Sequence, residues 1–462
     1  MLHRFRSGRK LLAFSSAALV AIGLMAVFSA GSSAHQRHAN RGHHNAGHHS
    51  GSGGQGGITS VPWGSVNGHA VNLYTLSNGH GMKVAITNYG GVVQSIWVPD
   101  RWGGTKNVAL GFSTLQDYVS DFTQGATNTP WPLPGGSGDT FFGAIIGRYA
   151  NRIANHSFTM TCGAPCTNNG KTYTLDANNG VNTLHGGFLG WNTVVWTATT
   201  QSGPNGPSLV LTNTFPAGEG CLTLSATCNG FPAAVKATVT YTLTRNNALQ
   251  IGYSAVNQST TDATVINLTN HTYFNLGGEG SGSVEDQELK INADQYQPVD
   301  TNLIPTNFAS VAGTAYDFRH LHTIGLNIRR ADLPDGGTQA FPQLVIAHGY
   351  DNNWVLNGSG YRLASTALDP KTGIELSTFT DQPGVQFYSG NFLVGDLVGP
   401  SGHTYRQTDG FTLETQHYPD APHHIGDSAW PSVVLNPNAT FTSTTAYQFS
   451  TSGHGHYAHN HR

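Results

Sequence analysis

Asn267-Leu268-Thr269-Asn270-His271-Thr272-Tyr273-Phe274-Asn275-Leu276 reads as a strand, with Val265 and Ile266 leading into it. Side chains alternate along a strand, so Asn267, Thr269, His271 and Tyr273 share one face, and Ile266, Leu268, Thr272 and Phe274 share the other. The second face is mostly apolar and suits a core. The first sets a histidine among polar neighbours and an aromatic ring. That combination suits a sugar: a flat ring to stack on, several hydrogen-bonding groups, and one group that titrates near neutral pH. A lone histidine on a half-buried strand is more often structural, so partners must come from the rest of the chain.

Outward from this stretch, strand signals recur along the sequence. They fall at Val71–Leu76, Lys83–Thr87, Val92–Val98, Thr193–Thr199, Ser208–Thr212, Ala234–Arg245, Ala248–Val256, Ala263–Thr269, Gly373–Thr380 and Phe411–Gln416. Clusters of Gly, Pro and Asn separate them, and Asn246-Asn247 marks a hairpin turn. Helical signals are few and short, as in Ser113–Tyr118. The pattern predicts an all-β fold, a large antiparallel β-sandwich, with no fixed repeat period.

Charged residues make up only 10% of the chain, against roughly 25% in typical domains. The net charge of -3 leaves no basic footprint for nucleic acid. Gly, Thr, Asn and Ser supply the polarity instead, as in secreted β-proteins.

The N-terminus has the form of a secretory leader over residues 1–34. Arg4, Arg6, Arg9 and Lys10 precede an apolar run, Leu11–Ala30, and Ser32, Ser33 and Ala34 offer a cleavage site. An uncleaved single-span anchor is the alternative; small residues directly after the run favour cleavage and no stable membrane association afterwards. No twin arginine precedes the run, which favours the general secretion route.

Residues 35–57 are rich in His, Gly and Ser, including His35, His38, His43, His44, His48 and His49, and cannot bury enough surface to fold. Residues 453–462 repeat the theme with His454, His456, His459 and His461. Such tails bind zinc, copper or nickel loosely. A solvated segment is the better reading, because no fixed ligand spacing marks a metal site. One domain over 58–452 remains between them.

The 4 cysteines fall as Cys162 with Cys166 and Cys221 with Cys228. In an exported chain an even count suggests disulfides. Of the three pairings, the local one is favoured, since each pair lies in a short excursion rich in Gly, Pro and Asn. Small loops of this kind rigidify turns rather than hold the fold together.

Five more segments combine with the opening stretch. They are Gly147-Arg148-Tyr149-Ala150-Asn151-Arg152-Ile153; Asn182-Thr183-Leu184-His185-Gly186-Gly187, with Gly190-Trp191 just after; Gly349-Tyr350-Asp351-Asn352-Asn353; Gln382–Asn391; and Leu413-Glu414-Thr415-Gln416-His417-Tyr418-Pro419-Asp420-Ala421-Pro422. Each alone is a weak signal. Together and in this order they resemble the aldose 1-epimerase (galactose mutarotase) family, from about Gly57 to Phe449. After Pro-Asp-Ala-Pro the family usually has Asn, where this chain has His423 and His424.

The resemblance implies the galactose mutarotase-like supersandwich, with an open cleft for an aldose on one face. It implies His271 as proton donor and Glu414 as proton acceptor. Asn151, Arg152, His185, Tyr273, Asp351 and Gln386 would hold the sugar hydroxyls. The chemistry stands without the family: interconverting anomers takes one base at the C1 hydroxyl and one acid at the ring oxygen, and requires neither metal nor cofactor.

Alternation puts Thr412, Glu414 and Gln416 on one face of their strand, opposite Phe411 and Leu413. For each site residue a bland reading competes: a surface Glu414, an ion-paired Arg152, a turn His185, an Asx-turn Asp351. His417, His423 and His424 read as loop histidines.

The rival functions are a non-catalytic carbohydrate-binding sandwich, a hexose-6-phosphate epimerase and a glycoside hydrolase. The first needs no acid–base pair. The second calls for a basic cluster, which the motifs lack. The third needs two carboxylates, for which Asp351 and Glu414 stay open.

Overall fold

Alternation of residue type builds the sheets. Along Val235–Leu243, Val235, Ala237, Val239, Tyr241 and Leu243 are buried while Lys236, Thr238, Thr240 and Thr242 lie toward water. Ala248–Asn257 repeats the pattern beside it, with Leu243 opposite Leu249 across the expected hairpin. Asn247 takes the positive φ of 57° in that turn, a conformation asparagine tolerates.

The computed structural model describes residues 56–127, 140–330, 332–335 and 342–452. The leader 1–34, the His-rich segment as far as residue 55 and the tail 453–462 lie outside the described residues. The described residues all belong to one unit, Gly53–Arg462. Among them no helix is long and apolar enough to cross a membrane.

A nine-stranded antiparallel sheet contains Val235–Leu243, Ala248–Asn257, Thr440–Thr451 and Ile374–Thr380 as neighbours. A six-stranded sheet runs in the order Tyr273–Phe274, Phe411–Gln416, Gly384–Tyr388, Asp351–Leu356, Ala293–Gln297, Ala309–Ser310. A five-stranded meander begins the described chain at Gly57–Val66.

One core joins these sheets. Phe274, Phe387, Phe411 and Leu413 from the six-stranded sheet pack with Leu249, Ile251, Leu376, Tyr447 and Phe449 from the nine-stranded one. Phe274 and Tyr447 rings lie 4.9 Å apart, and Tyr447 Oη donates to Leu413 O at 3.0 Å. Burying each such side chain is worth about 1.5–3 kcal/mol. Because the apolar face of the six-stranded sheet is spent on this core, its polar face is left for the cleft. The expected sandwich is the architecture found.

Several elements differ from the sequence expectation. Asn267–Leu276 is not one strand. Thr264–Val265 pairs with Val434–Leu435, Thr269–Asn270 with Ile145–Ile146, and Tyr273–Phe274 with Phe411 and Thr412. Asparagine side chains interrupt the ladder. Asn267 Nδ2 donates to Ala150 O and His417 O, and Asn270 Nδ2 donates to Gly143 O at 2.8 Å. Both of its faces are buried.

Thr193–Thr199 begins as a short helical turn, Trp191–Thr193, and only Thr197 onward is strand. The short helical signal grows into Leu115–Thr127, capped by Thr114, whose Oγ1 accepts Asp117 N–H at 3.2 Å. This helix matters to the cleft: Asp121 Oδ2 accepts both Thr140 N–H and its hydroxyl, fixing one wall.

The cysteines pair locally, Cys162 with Cys166 and Cys221 with Cys228.

Candidate active site

Antiparallel register places the polar face of the six-stranded sheet under a cleft. Tyr273 is opposite Thr412, Thr412 opposite Tyr388, and Tyr388 opposite Asp351. One pair along, Glu414 faces Gln386 and Gln386 faces Asn353. Opposed residues share a face, so Tyr273, Glu414, Tyr388 and Asp351 converge. The cleft above them has about 520 Å³, counting its open mouth, and is lined also by Thr140, Phe141, Asn151, Arg152, Leu184, His185, His271, Phe392 and Leu393. Seven of the eight predicted residues therefore line one cleft.

Gln386 is the exception. It is buried one step behind the cleft, and its Nε2 donates to Asp351 Oδ1 at 2.8 Å. It orients the Asp351 carboxylate, leaving Oδ2 beside Arg152 Nη1 at 3.7 Å. Arg152 is steadied from the other side by Asn179, which accepts from its Nε at 3.1 Å.

His271 comes from the segment between the broken strands, and its Nε2 lies 3.5 Å from Glu414 Oε1. Glu414 Oε1 also accepts the Thr412 hydroxyl at 2.9 Å. Among the described residues, Glu414 Oε2 is buried without a hydrogen-bond partner. Burial dominates the protonation of both groups. It lowers His271 to about 3, with a hydrogen bond to its own backbone opposing. It raises Glu414 to about 8, with the Thr412 hydrogen bond opposing, Asp351 adding and Arg152 opposing. The pair therefore carries one proton at neutral pH, with the neutral arrangement favoured by burial.

The tautomer of His185 follows from its partner. Asn151 N–H donates to His185 Nδ1 at 3.1 Å, so that nitrogen holds a lone pair and Nε2 carries the proton. In return His185 N–H donates to Asn151 O at 3.2 Å. Burial, then the nearby His271 and Arg152, hold His185 well below its ordinary range, so it stays neutral. His185, His271 and Glu414 bring ligand-type atoms within 4.8 Å of one another. With Nδ1 engaged and Nε2 protonated, His185 has no lone pair for a metal.

Strained backbone surrounds the same place. Phe141, Asn151 and His185 take φ of 57°, 63° and 53°. Non-glycine residues in this region cost of order 1–3 kcal/mol and cluster at functional sites. Gly186 completes the turn at φ 95°, and a Cβ there would stand 2.3 Å from Gly147 O.

Tyr388 carries no role in the sequence reading although it lies on the Gln386 face, two residues along; alternation alone gives that signal. Thr140, Phe141, Leu184, Phe392 and Leu393 come from loops, where no period marks them. His417 is mostly enclosed, its Nδ1 2.8 Å from Gln382 Oε1, and His423 Nδ1 lies 2.7 Å from Asp420 Oδ1. His424 stacks on Trp430 at 3.7 Å. None of the three lines the cleft.

Comparison with known proteins places this geometry. The family model described as aldose 1-epimerase matches residues 72–139 and 134–448. The chain is 36% identical over 397 residues to the galactose mutarotase of Rattus norvegicus, covering 85% of this chain and 98% of the rat protein. It is 34% identical over 400 residues to the aldose 1-epimerase of Escherichia coli K12, covering 85% and 99%. The crystal structure of galactose 1-epimerase from Lactobacillus acidophilus NCFM superposes with a TM-score of 0.66 at 26% identity, over 86% of this chain and 99% of that one. A cleft shaped by the register of one sheet and sequence likeness along most of the chain agree: the protein belongs to the aldose 1-epimerase family.

Proposed function

We propose that the protein is a mutarotase, interconverting the α and β anomers of aldoses such as galactose and glucose. The observation that carries this reading is the buried His271–Glu414 pair, 3.5 Å apart, in a cleft rich in hydroxyl partners. Glu414 takes the proton from the C1 hydroxyl while His271 gives a proton to the ring oxygen. The C1–O5 bond opens and C1 becomes an aldehyde. Rotation about C1–C2 turns the other carbonyl face inward, and the reverse transfers close the ring. Protons and electrons balance over the cycle with no further reactant.

Sugar binding supports this assignment of roles. Burial alone places the proton of the pair on Glu414. A sugar hydroxyl donating to the free Glu414 Oε2 stabilises the carboxylate, which moves the proton toward His271. Arg152 and the His185 Nε2–H donate to hydroxyl oxygens, Asp351 Oδ2 accepts, and Asn151 and Tyr273 complete the ring of contacts.

The hexose-6-phosphate alternative finds less support. Among the described residues Arg152 is the single Lys or Arg lining the cleft, and it already serves Asp351 and Asn179. A phosphate calls for a cluster of donors. A binding module is disfavoured by the acid–base pair, which binding alone does not require.

Export belongs to the same proposal. The basic, apolar and small-residue order of the N-terminus supports it, and so do the two cysteine pairs. Mass spectrometry of secreted protein is expected to give an N-terminus near His35 and no free thiol; four alkylatable cysteines in unreduced protein would contradict it. For the activity, polarimetry of freshly dissolved α-galactose and α-glucose should show accelerated relaxation to the equilibrium rotation. An unaccelerated relaxation at high enzyme concentration would reject the reading.

A further inference from the structure

Arg148 and Glu219 form a buried ion pair that touches neither the cleft nor the acid–base groups. The Arg148 side chain is 0% exposed and Glu219 6%. Arg148 Nε donates to Glu219 Oε2 at 2.9 Å, Nη1 to Pro232 O and Ala233 O at 2.8 and 2.7 Å, and Nη2 to Pro216 O at 3.0 Å. One guanidinium thus gathers both ends of the excursion between Pro216 and Ala233, which the Cys221–Cys228 disulfide closes.

Two connections lead from this excursion to the cleft. The first runs through the backbone of Arg148 itself. Arg148 O accepts Asn267 N–H at 3.1 Å, and Ala150 N–H donates to Asn267 O at 2.8 Å, so the segment entering Asn151 and Arg152 is pinned on both sides of Asn267. The second runs through Asp176. Gly220 O accepts Asp176 N–H at 2.7 Å, and Asp176 Oδ2 accepts Leu222 N–H at 2.7 Å. Asp176 O in turn accepts the Thr183 hydroxyl at 2.7 Å, two residues before His185. Gly187 packs directly on Gly220, where a Cβ would be 3.3 Å from Gly220 O. Both connections end at the reciprocal bonds between Asn151 and His185.

We propose that the disulfide-closed excursion is a clamp that positions the sugar-binding residues Asn151, Arg152 and His185, with Glu219 as a positioning residue acting through Arg148. The inference rests on the assignment of those residues to sugar binding. None of the clamp's hydrogen bonds is made to the His271 or Glu414 side chain, so its main effect falls on affinity for the sugar rather than on the proton transfers. Removing one partner of a buried pair leaves a charge uncompensated, and takes from the guanidinium its one charged bond to the excursion, leaving only the carbonyls of Pro216, Pro232 and Ala233.

The test compares Glu219→Leu, Glu219→Gln and the double variant Cys221→Ser/Cys228→Ser with the full-length parent, by polarimetry of α-galactose. Glu219→Leu and the cysteine variant should raise KM by roughly three- to tenfold, with kcat within about twofold of the parent. Glu219→Gln, which keeps an acceptor for Arg148, should restore much of the affinity. A parental KM in the cysteine variant, or a fall in kcat at unchanged KM, overturns the clamp. The cysteine variant leaves the buried ion pair intact, so it decides the matter if Glu219→Leu fails to fold. A parent protein with no mutarotation defeats the activity reading instead, and the two failures are told apart by that control.

Discussion

His271 Nε2 stands 3.5 Å from Glu414 Oε1, and both side chains are almost wholly removed from water. Because both are buried, the two groups together hold one proton over a wide pH range. Burial pushes His271 down to about 3 and Glu414 up to about 8, so the pair gains its second proton only in strong acid and loses its last above neutrality. One proton on two groups is the state that mutarotation needs: one acid and one base at once.

The rate should therefore hold a broad plateau through neutral pH. It should fall as pH rises past about 8, when the pair loses its acid, and fall as pH drops toward about 3, when it loses its base. The two limbs belong to the pair and not to single residues. A kcat/KM profile in buffers of constant ionic strength checks this. A single limb centred near the ordinary histidine value of 6.5 would contradict it.

Stability should carry the same signature. The unfolded chain releases the Glu414 proton near the ordinary 4.5, the folded protein only near 8. The folded state then binds more protons than the unfolded one, and stability falls as pH rises through that window. His271 acts on the opposite flank, its contribution being lost as pH falls from 6.5 toward 3. Glu414→Gln removes only the first effect. Its Tm relative to the parent should rise between about pH 5 and about pH 9, as read by calorimetry at both; a constant difference would mean that Glu414 is not held neutral by the fold.

Gln386 and Asp351 should behave as one unit. Gln386 Nε2 holds Asp351 Oδ1 at 2.8 Å and does not line the cleft. Gln386→Ala and Asp351→Asn should each raise KM more than they lower kcat. The double variant should cost less than the sum of the singles, with a coupling of about 0.5–3 kcal/mol. Additive effects would place Gln386 on the sugar independently of Asp351.

His185 should be a neutral Nε2–H tautomer. Asn151 N–H occupies Nδ1, and burial opposes charging. Long-range ¹⁵N–¹H NMR of labelled protein should show protonated Nε2, unchanged as pH falls through the ordinary histidine value of 6.5. A titration near the ordinary histidine value would refute this.

Much of the fold was legible because alternation survives wherever one face of a strand meets the core. Lys83–Thr87 and Phe411–Gln416 have the expected bounds. The reading failed where side chains compete with the ladder. Asn267 and Asn270 bond to backbone groups of other segments and cut the opening stretch into short pairings, which local propensity cannot foresee. The site was legible by motif order, since cleft residues drawn from distant segments carry no common period. Gln386 shows the limit. Its face is set by alternation, but whether it meets the sugar or Asp351 depends on side-chain geometry across two strands. The loop residues Phe141 and Phe392 line the cleft with no sequence pattern to mark them.

The most direct measurement is the mutarotation rate of Glu414→Gln. Gln keeps the size of the side chain and its reach to the Thr412 hydroxyl, but cannot take the C1 hydroxyl proton. Polarimetry of fresh α-galactose should show kcat lowered by about 10²–10⁴-fold with galactose binding little changed. A Glu414→Gln protein that relaxes α-galactose at a rate close to the parent's would contradict acid–base ring opening by His271 and Glu414, and would leave the cleft as a binding site only.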